Sequence, residues 1–148
     1  MTTSGIKQRQ RWMGVLARAS GEAIATRLEA VGPLPAHERL RGPETGLVMV
    51  RGRAGGDGAP FNLGEMTVTR CAVRLGDGVV GHAYVAGRDA RQAELAAVAD
   101  ALLQGARRDA VMAAVVEPLA AAQRAADEAE ARKAAATRVN FFTMAAMR

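Results

Sequence analysis

Thr67-Val68-Thr69-Arg70-Cys71-Ala72-Val73-Arg74-Leu75, followed by Gly76-Asp77-Gly78 and the run from Val79 to Ala86, is the stretch that decides the fold. Successive side chains of a strand point to opposite faces. Over residues 66–75 this puts Thr67, Thr69, Cys71, Val73 and Leu75 on one face. Met66, Val68, Arg70, Ala72 and Arg74 take the other. Gly-Asp-Gly is a hairpin signal, so residues 79–86 return as an antiparallel partner. Upstream, residues 45–51 read as a third strand. Its Leu47-Val48-Met49-Val50 run is continuously apolar and predicts cover on both faces. Residues 51–65, with glycine at 52, 55, 56, 58 and 64, read as a loop. Pro35 and Gly42-Pro43 mark a connecting stretch before the sheet.

Helical patterns flank this sheet. Trp12, Val15, Leu16 and Ala19 form one stripe of an N-terminal helix over residues 6–19. Ser20 is placed to cap a second helix with Glu22 in its first turn. Ile24, Leu28 and Val31 are its stripe, and Gly32-Pro33 is its stop. After Gly87, Asp89 and Gln92 have capping-box spacing ahead of a helix with Leu95, Ala99, Leu102 and Ala106 on its face. Met112, Val115, Val116 and Leu119 belong to a further helix that Pro118 kinks or restarts. Residues 120–136 are alanine with charged residues, strong in helix propensity and poor in large apolar side chains. Such a helix packs closely through alanine or stands in solvent. The fold class is therefore α+β: a small antiparallel sheet of about three strands with N-terminal and C-terminal helices packed around it. One domain spans residues 1–148, helical over 6–31, sheet over 45–86 and helical over 89–138. An apolar tail over 139–148 is expected to dock, since Phe141, Phe142 and Met144 are costly to expose at a chain end.

Composition narrows the function. The chain has 148 residues, of which 49% are apolar, so it can bury a core. That apolar content is mostly alanine, valine, leucine and glycine, with one Trp, one Tyr and three Phe. Aromatic side chains bury the most area, so the core leans on something further, such as a partner surface. The net charge is +5 and arginine carries nearly all of the positive charge. Arginine suits a carboxylate or phosphate gripped by a fork of donors; a compositional bias toward arginine and alanine gives the same count. A single cysteine, Cys71, excludes an internal disulfide and a cysteine metal cluster. No run reaches the length of a membrane span, and residues 1–11 lack the apolar stretch of a signal peptide. A cytoplasmic protein with no membrane partner is the expectation.

Chemistry-bearing residues are sparse. His37 and His82 are far apart and have no metal-ligand spacing. His82 reads as a surface or interface histidine beside Tyr84, and Cys71 as a small buried hydrophobe. No acid–base or nucleophile–base pair can be assembled, so no catalytic residue and no metal ligand is assigned. Arg51, Arg53, Gly55 and Gly56 lie in the most suggestive loop. Glycine lets a backbone approach an anion and arginine supplies charge, yet the loop lacks the Gly-Lys-Ser/Thr ending of a P-loop and precedes a strand. It reads either as a phosphate contact or as a plain connection. Arg70, Arg74 and Arg88 form a second basic set. Arg70 and Arg74 share a face with apolar neighbours, which fits an interface or a half-exposed sheet face. Interleaved aromatics for stacking bases are missing, which argues against nucleic acid.

Several blocks resemble the PhnG family. They are Arg9-Gln10-Arg11-Trp12-Met13, Glu44-Thr45-Gly46-Leu47-Val48, Gly55-Gly56, the strand Thr67 to Leu75, Gly87-Arg88-Asp89, Ala93-Glu94, Asp100-Ala101-Leu102 and the closing Arg138-Val139-Asn140-Phe141-Phe142-Thr143-Met144. The resemblance implies a non-catalytic G subunit of the carbon–phosphorus lyase core complex. It implies H, I and J subunits as partners, I most directly, with an L subunit associated. It also implies ATP, with its magnesium, as substrate of the assembled complex and no cofactor bound by this chain alone. In the implied reaction the ribose triphosphate of ATP passes to methylphosphonate and adenine leaves. The nucleosidase centre lies on the I subunit, and the later carbon–phosphorus cleavage on the J subunit. Arg70, Arg74, Arg88, Phe141, Phe142 and Met144 are then the expected partner contacts.

Overall fold

A computed structural model describes residues 3–139. Helices α1 (Thr3–Arg18) and α2 (Gly21–Glu29) lead into strands β1 (His37–Arg53), β2 (Pro60–Leu75) and β3 (Val80–Ala86). Helices α3 (Ala90–Leu103), α4 (Arg108–Val111) and α5 (Glu117–Ala136) follow. The strands form one antiparallel sheet in the order β1-β2-β3. The α+β architecture read from the sequence is the architecture observed.

The α1 and α2 stripes form as expected. Trp12, Val15, Leu16 and Ala19 are buried, as are Ile24 and Leu28. Ser20 Oγ accepts from the Ala23 N–H at 3.1 Å and caps α2. Gly32 ends the segment with φ +129°, a value that glycine adopts without strain. The hairpin turn also forms. Gly78 has φ +87° and its N–H donates to the Leu75 carbonyl at 2.9 Å.

Helix α3 is the centre of the molecule and differs from the one-faced helix expected. Residues from Ala93 to Leu103 are buried on every side except at Glu94. Alanine at 93, 96, 97, 99 and 101 is what permits this, because small side chains let the sheet, α1 and α2 approach the helix backbone. Gly81 of β3 makes the closest approach. A Cβ there would overlap the Ala97 carbonyl and stand 2.6 Å from the Ala101 nitrogen. Ala106, expected on the helix face, lies beyond the helix end and is exposed. Asp89 caps α3 through its Oδ1, which accepts from the Gln92 N–H at 2.9 Å. The Gln92 side chain does not complete a reciprocal box. Its Nε2 donates to the carbonyls of Ala17 and Ala19, at 3.1 and 2.6 Å, and so satisfies the end of α1.

Pro118 explains the break before α5. Proline has no N–H to give the carbonyl one turn back. The preceding turn, Met112–Val116, widens to a π-type register, with the Glu117 N–H bonded to the Met112 carbonyl. Beyond Ala120, α5 stands largely in solvent, held by Gln123 Nε2 on the Val15 carbonyl at 2.9 Å. This is the solvent alternative left open for the alanine-rich helix.

The sheet is longer than expected, and its first strand is read wrongly in the sequence. β1 starts at His37, so the Pro35 to Pro43 stretch taken as a connection is mostly strand. Its register shifts between Arg39 and Arg41 and again between Arg41 and Glu44. Pro43, which cannot donate to a ladder, sits in the second irregularity. β2 starts at Pro60, so the supposed loop over 51–65 shrinks to a short turn around Ala54–Gly56. Among the described residues nothing covers both faces of the Leu47 run: Leu47 is 63% and Met49 53% exposed. The reason is length. β3 has 7 residues against 17 and 16 in β1 and β2. Its last partner is Val68, and α3 covers only the part of the sheet beside β3. Residues 47–53 and 60–67 therefore project as a two-stranded arm of roughly 20 Å.

Candidate functional site

Pairing register fixes which side chains share a face of this arm. Leu47 is opposite Thr67 and Met49 opposite Glu65 on the face that continues the core side of the sheet. Leu63 is the extra residue in a bulge beside Val50 and Arg51, and it folds over Gly52. Val48 is opposite Met66, and Arg70 lies between Glu44 and Tyr84, on the outer face. Leu47, Met49, Val50, Phe61, Leu63 and Met66 all remain exposed, as does Tyr84 at the arm's root. So many large exposed apolar side chains, spread over both faces of one short ribbon, are more than scattered surface hydrophobics. A two-stranded ribbon is marginal in water by itself, and this arm has little cover among the described residues.

The expected contact residues fall into three places. Arg70 Nε donates to Glu44 Oε2 at 3.2 Å, and Arg41 holds the same carboxylate at 3.0 Å. Arg41, then Arg70, keep the Glu44 carboxyl below its ordinary range. Arg74 pairs with Glu38 at 2.6 Å further along the outer face. Each of these ions is about half exposed, so the pairs fix orientation more than stability. Arg88 is exposed in the turn after β3 and makes no ion pair among the described residues. A cleft of about 260 Å³ opens between Glu44, Thr45, Gly46, Leu47, Val48, Val68, Arg70 and Tyr84, where Gly46 presents no side chain. Phe141, Phe142 and Met144 lie outside the described residues.

Arg51, Arg53, Gly55 and Gly56 are brought together at the arm tip. Gly55 and Gly56 have φ +63° and +86°, which the turn requires. Arg53 Nη1 donates to the Gly58 carbonyl at 3.1 Å and closes the turn. Arg51 is exposed and has no ion pair among the described residues.

Two polar constellations were not assigned from the sequence. Asp100 on α3 is wholly buried. Arg9 Nε and Nη2 grip its carboxylate at 3.1 and 2.7 Å, Trp12 Nε1 donates at 2.8 Å, and the His82 backbone N–H donates at 2.9 Å. One carboxylate thus ties α1, β3 and α3 together. The second constellation joins β1 to α3. His37 Nδ1 and Nε2 donate to the Pro35 carbonyl and to Glu94 Oε1, both at 2.9 Å. Arg39 grips Glu94 through two bonds of 2.8 and 2.7 Å. The Pro35 carbonyl, then Glu94, raise the His37 imidazole above its ordinary value. Arg39 first, then His37, lower the Glu94 carboxyl. The sequence signal was the Ala93-Glu94 and Asp100-Ala101-Leu102 blocks, which mark positions without giving partners.

The arrangement offers recognition and little chemistry. Cys71 is buried and donates weakly to the Arg41 carbonyl, and burial raises its thiol, so it is a packing residue. His82 is exposed on the outer face with no acidic partner among the described residues. Among the described residues, no group of three His, Cys, Asp or Glu side chains is placed to hold a metal ion. No helix among them is long and apolar enough to cross a membrane.

Comparison with known proteins agrees across nearly the whole chain. The family model described as phosphonate metabolism protein PhnG matches residues 7–146. A curated relative, the alpha-D-ribose 1-methylphosphonate 5-triphosphate synthase subunit PhnG of Rhizobium meliloti (strain 1021), is 49% identical over 141 residues, covering 95% of this chain and 90% of the relative.

Proposed function

The chain belongs to the PhnG family of phosphonate metabolism proteins, and from that premise we propose that it is a non-catalytic subunit of a ribose 1-methylphosphonate 5-triphosphate synthase. The exposed apolar arm carries this reading. A free-standing enzyme has no use for an uncovered two-stranded ribbon, whereas a subunit covers it on assembly. The assembled synthase, with H, I and L subunits, transfers the ribose triphosphate of ATP to methylphosphonate with loss of adenine. The J subunit completes the core complex, and the site of assembly is the cytoplasm. The I subunit holds the nucleosidase centre. This chain presents its outer sheet face, with Arg70, Arg74 and Arg88, and its Phe141, Phe142 and Met144 tail to that subunit. It thereby holds I in the state that accepts phosphonate in place of water as nucleophile.

Reconstitution tests the reading. Ribose 1-methylphosphonate 5-triphosphate should form when all four subunits are present. Omission of this chain should leave adenine release with ribose triphosphate as product. Undiminished phosphonate product without this chain would overturn the proposal. A second reading rests on Arg51, which is exposed near the arm tip and has no ion partner among the described residues: the tip touches the ATP triphosphate in the assembly. An Arg51→Ala, Arg53→Ala double variant would then raise the ATP concentration the complex needs, and an unchanged requirement would remove that reading.

A further inference from the structure

We propose that the free edge of β1 over residues 45–50 accepts an extended strand from another subunit of the synthase, which makes the sheet four-stranded in the assembly; this rests on the subunit reading above. Among the described residues β1 pairs only with β2, so there the other side of the strand offers unpaired backbone N–H and C=O groups. Proteins guard such edges with bulges, proline and charge. In β1 most of the guards lie at one end: Arg39, Arg41, Pro43, Glu44 and two of the three irregularities come before residue 45. Residues 45–50 contain no charge and no proline, and their register to β2 is unbroken until the shift between Val50 and Arg51.

The apolar pattern selects strand addition over docking on one face. Leu47 and Met49 stand on one face, and Val48 and Val50 on the other. A surface laid on one face would leave the other face in water. A strand added at the edge sends alternate side chains along both faces and also satisfies the backbone. The charges select the occupant. Glu44, at the start of the open segment, is already held by Arg41 and Arg70. Arg51, at its far end, is unpaired among the described residues. The incoming strand is therefore apolar across residues 45–50 and carries a carboxylate beside Arg51. A second copy of this chain does not meet this description. The antiparallel register that brings Arg51 of one copy to Glu44 of the other sets Leu47 opposite Val48, which stand on opposite faces.

Hydrogen–deuterium exchange on the complex with the co-expressed I subunit tests the edge directly. The amides of residues 45–50 should become protected relative to the chain alone. A Leu47→Lys, Met49→Lys double variant should bind at least roughly tenfold more weakly, as loss of central apolar contacts does. Arg51→Glu should weaken binding in a salt-dependent way. All three positions are exposed, and circular dichroism should match the wild type. A complex that forms without protecting these amides, or that tolerates the double lysine variant, overturns strand addition and leaves the subunit reading standing. A wild-type chain that dimerises alone and protects residues 45–50 in the dimer overturns the choice of occupant. Failure of the wild type to associate with any synthase subunit overturns the subunit reading itself.

Discussion

At the scale of single residues, the polar anchors do the most to hold the sheet to the helices. Asp100 is buried with Arg9, Trp12 and the His82 amide as donors. Truncation leaves a part-buried guanidinium and a buried indole N–H without their acceptor. Asp100→Ala should therefore destabilise by about 3–5 kcal/mol, the range for breaking a buried ion pair from one side. Urea denaturation checks this. The His37–Glu94–Arg39 clasp predicts a pH signature. A raised imidazole contributes stability that is complete below its ordinary value of 6.5 and disappears as pH rises through the folded value. A lowered carboxyl contributes stability that is complete above 4.5 and disappears as pH falls through its folded value. Both contributions are complete together between about pH 4.5 and 6.5. His37→Gln should cost about 1–2 kcal/mol at pH 5.5 and much less at pH 8.5, read from thermal melts at the two pH values. None of this was legible in the sequence. A lone aspartate amid alanines and a histidine before a strand have no periodicity to betray them, and their partners lie far away in the chain.

At the scale of elements, capping and alternation were legible because they are local. Ser20, Asp89 and the Gly76-Asp77-Gly78 turn act within a few residues of themselves, and all three do what their residue types predict. The alternation in β2 held in part: Thr69, Cys71, Val73 and Leu75 are buried and Arg70 and Arg74 exposed, but Val68 and Ala72 on the face of the arginines are buried as well. β1 was misread since its apolar run was taken as evidence of burial, and burial is decided by where β3 and α3 stop. Gly42-Pro43 looked like a connection because a proline in a strand is tolerated only at an edge or a bulge. Gly81 was equally silent, for its role is contact with a helix some sixteen residues or more along the chain. Gly81→Ala should push α3 from β3 and lower stability by about 1–3 kcal/mol, as overpacking does. Gly46→Ala on β1, at the far edge of the sheet, has open space around its new Cβ and should be nearly silent. Comparison of the two chemical denaturation midpoints separates packing from backbone effects.

At the scale of the whole molecule, the chain divides into a core that is complete and an arm that is not. The core buries α1, α2, α3 and one face of the sheet around residues such as Leu16, Ile24, Val73, Val85, Val98 and Leu103. The arm buries almost nothing, although it holds Leu47, Met49, Phe61 and Leu63. The expectation of a partner-dependent protein came from the absent catalytic constellation and the aromatic-poor composition. To the expected contacts, Arg70, Arg74, Arg88 and the Phe141, Phe142 and Met144 tail, the structure adds the exposed arm that rises beside Arg70. That addition was not readable in the sequence, since nothing local separates a covered apolar strand from an uncovered one. Work as a subunit requires a stable association with the rest of the synthase. Co-expression with the I subunit, followed by size-exclusion chromatography with light scattering, measures that association. A stable hetero-complex in which both chains co-elute is expected. Elution of this chain as a separate monomer, with no I subunit associated, would contradict it.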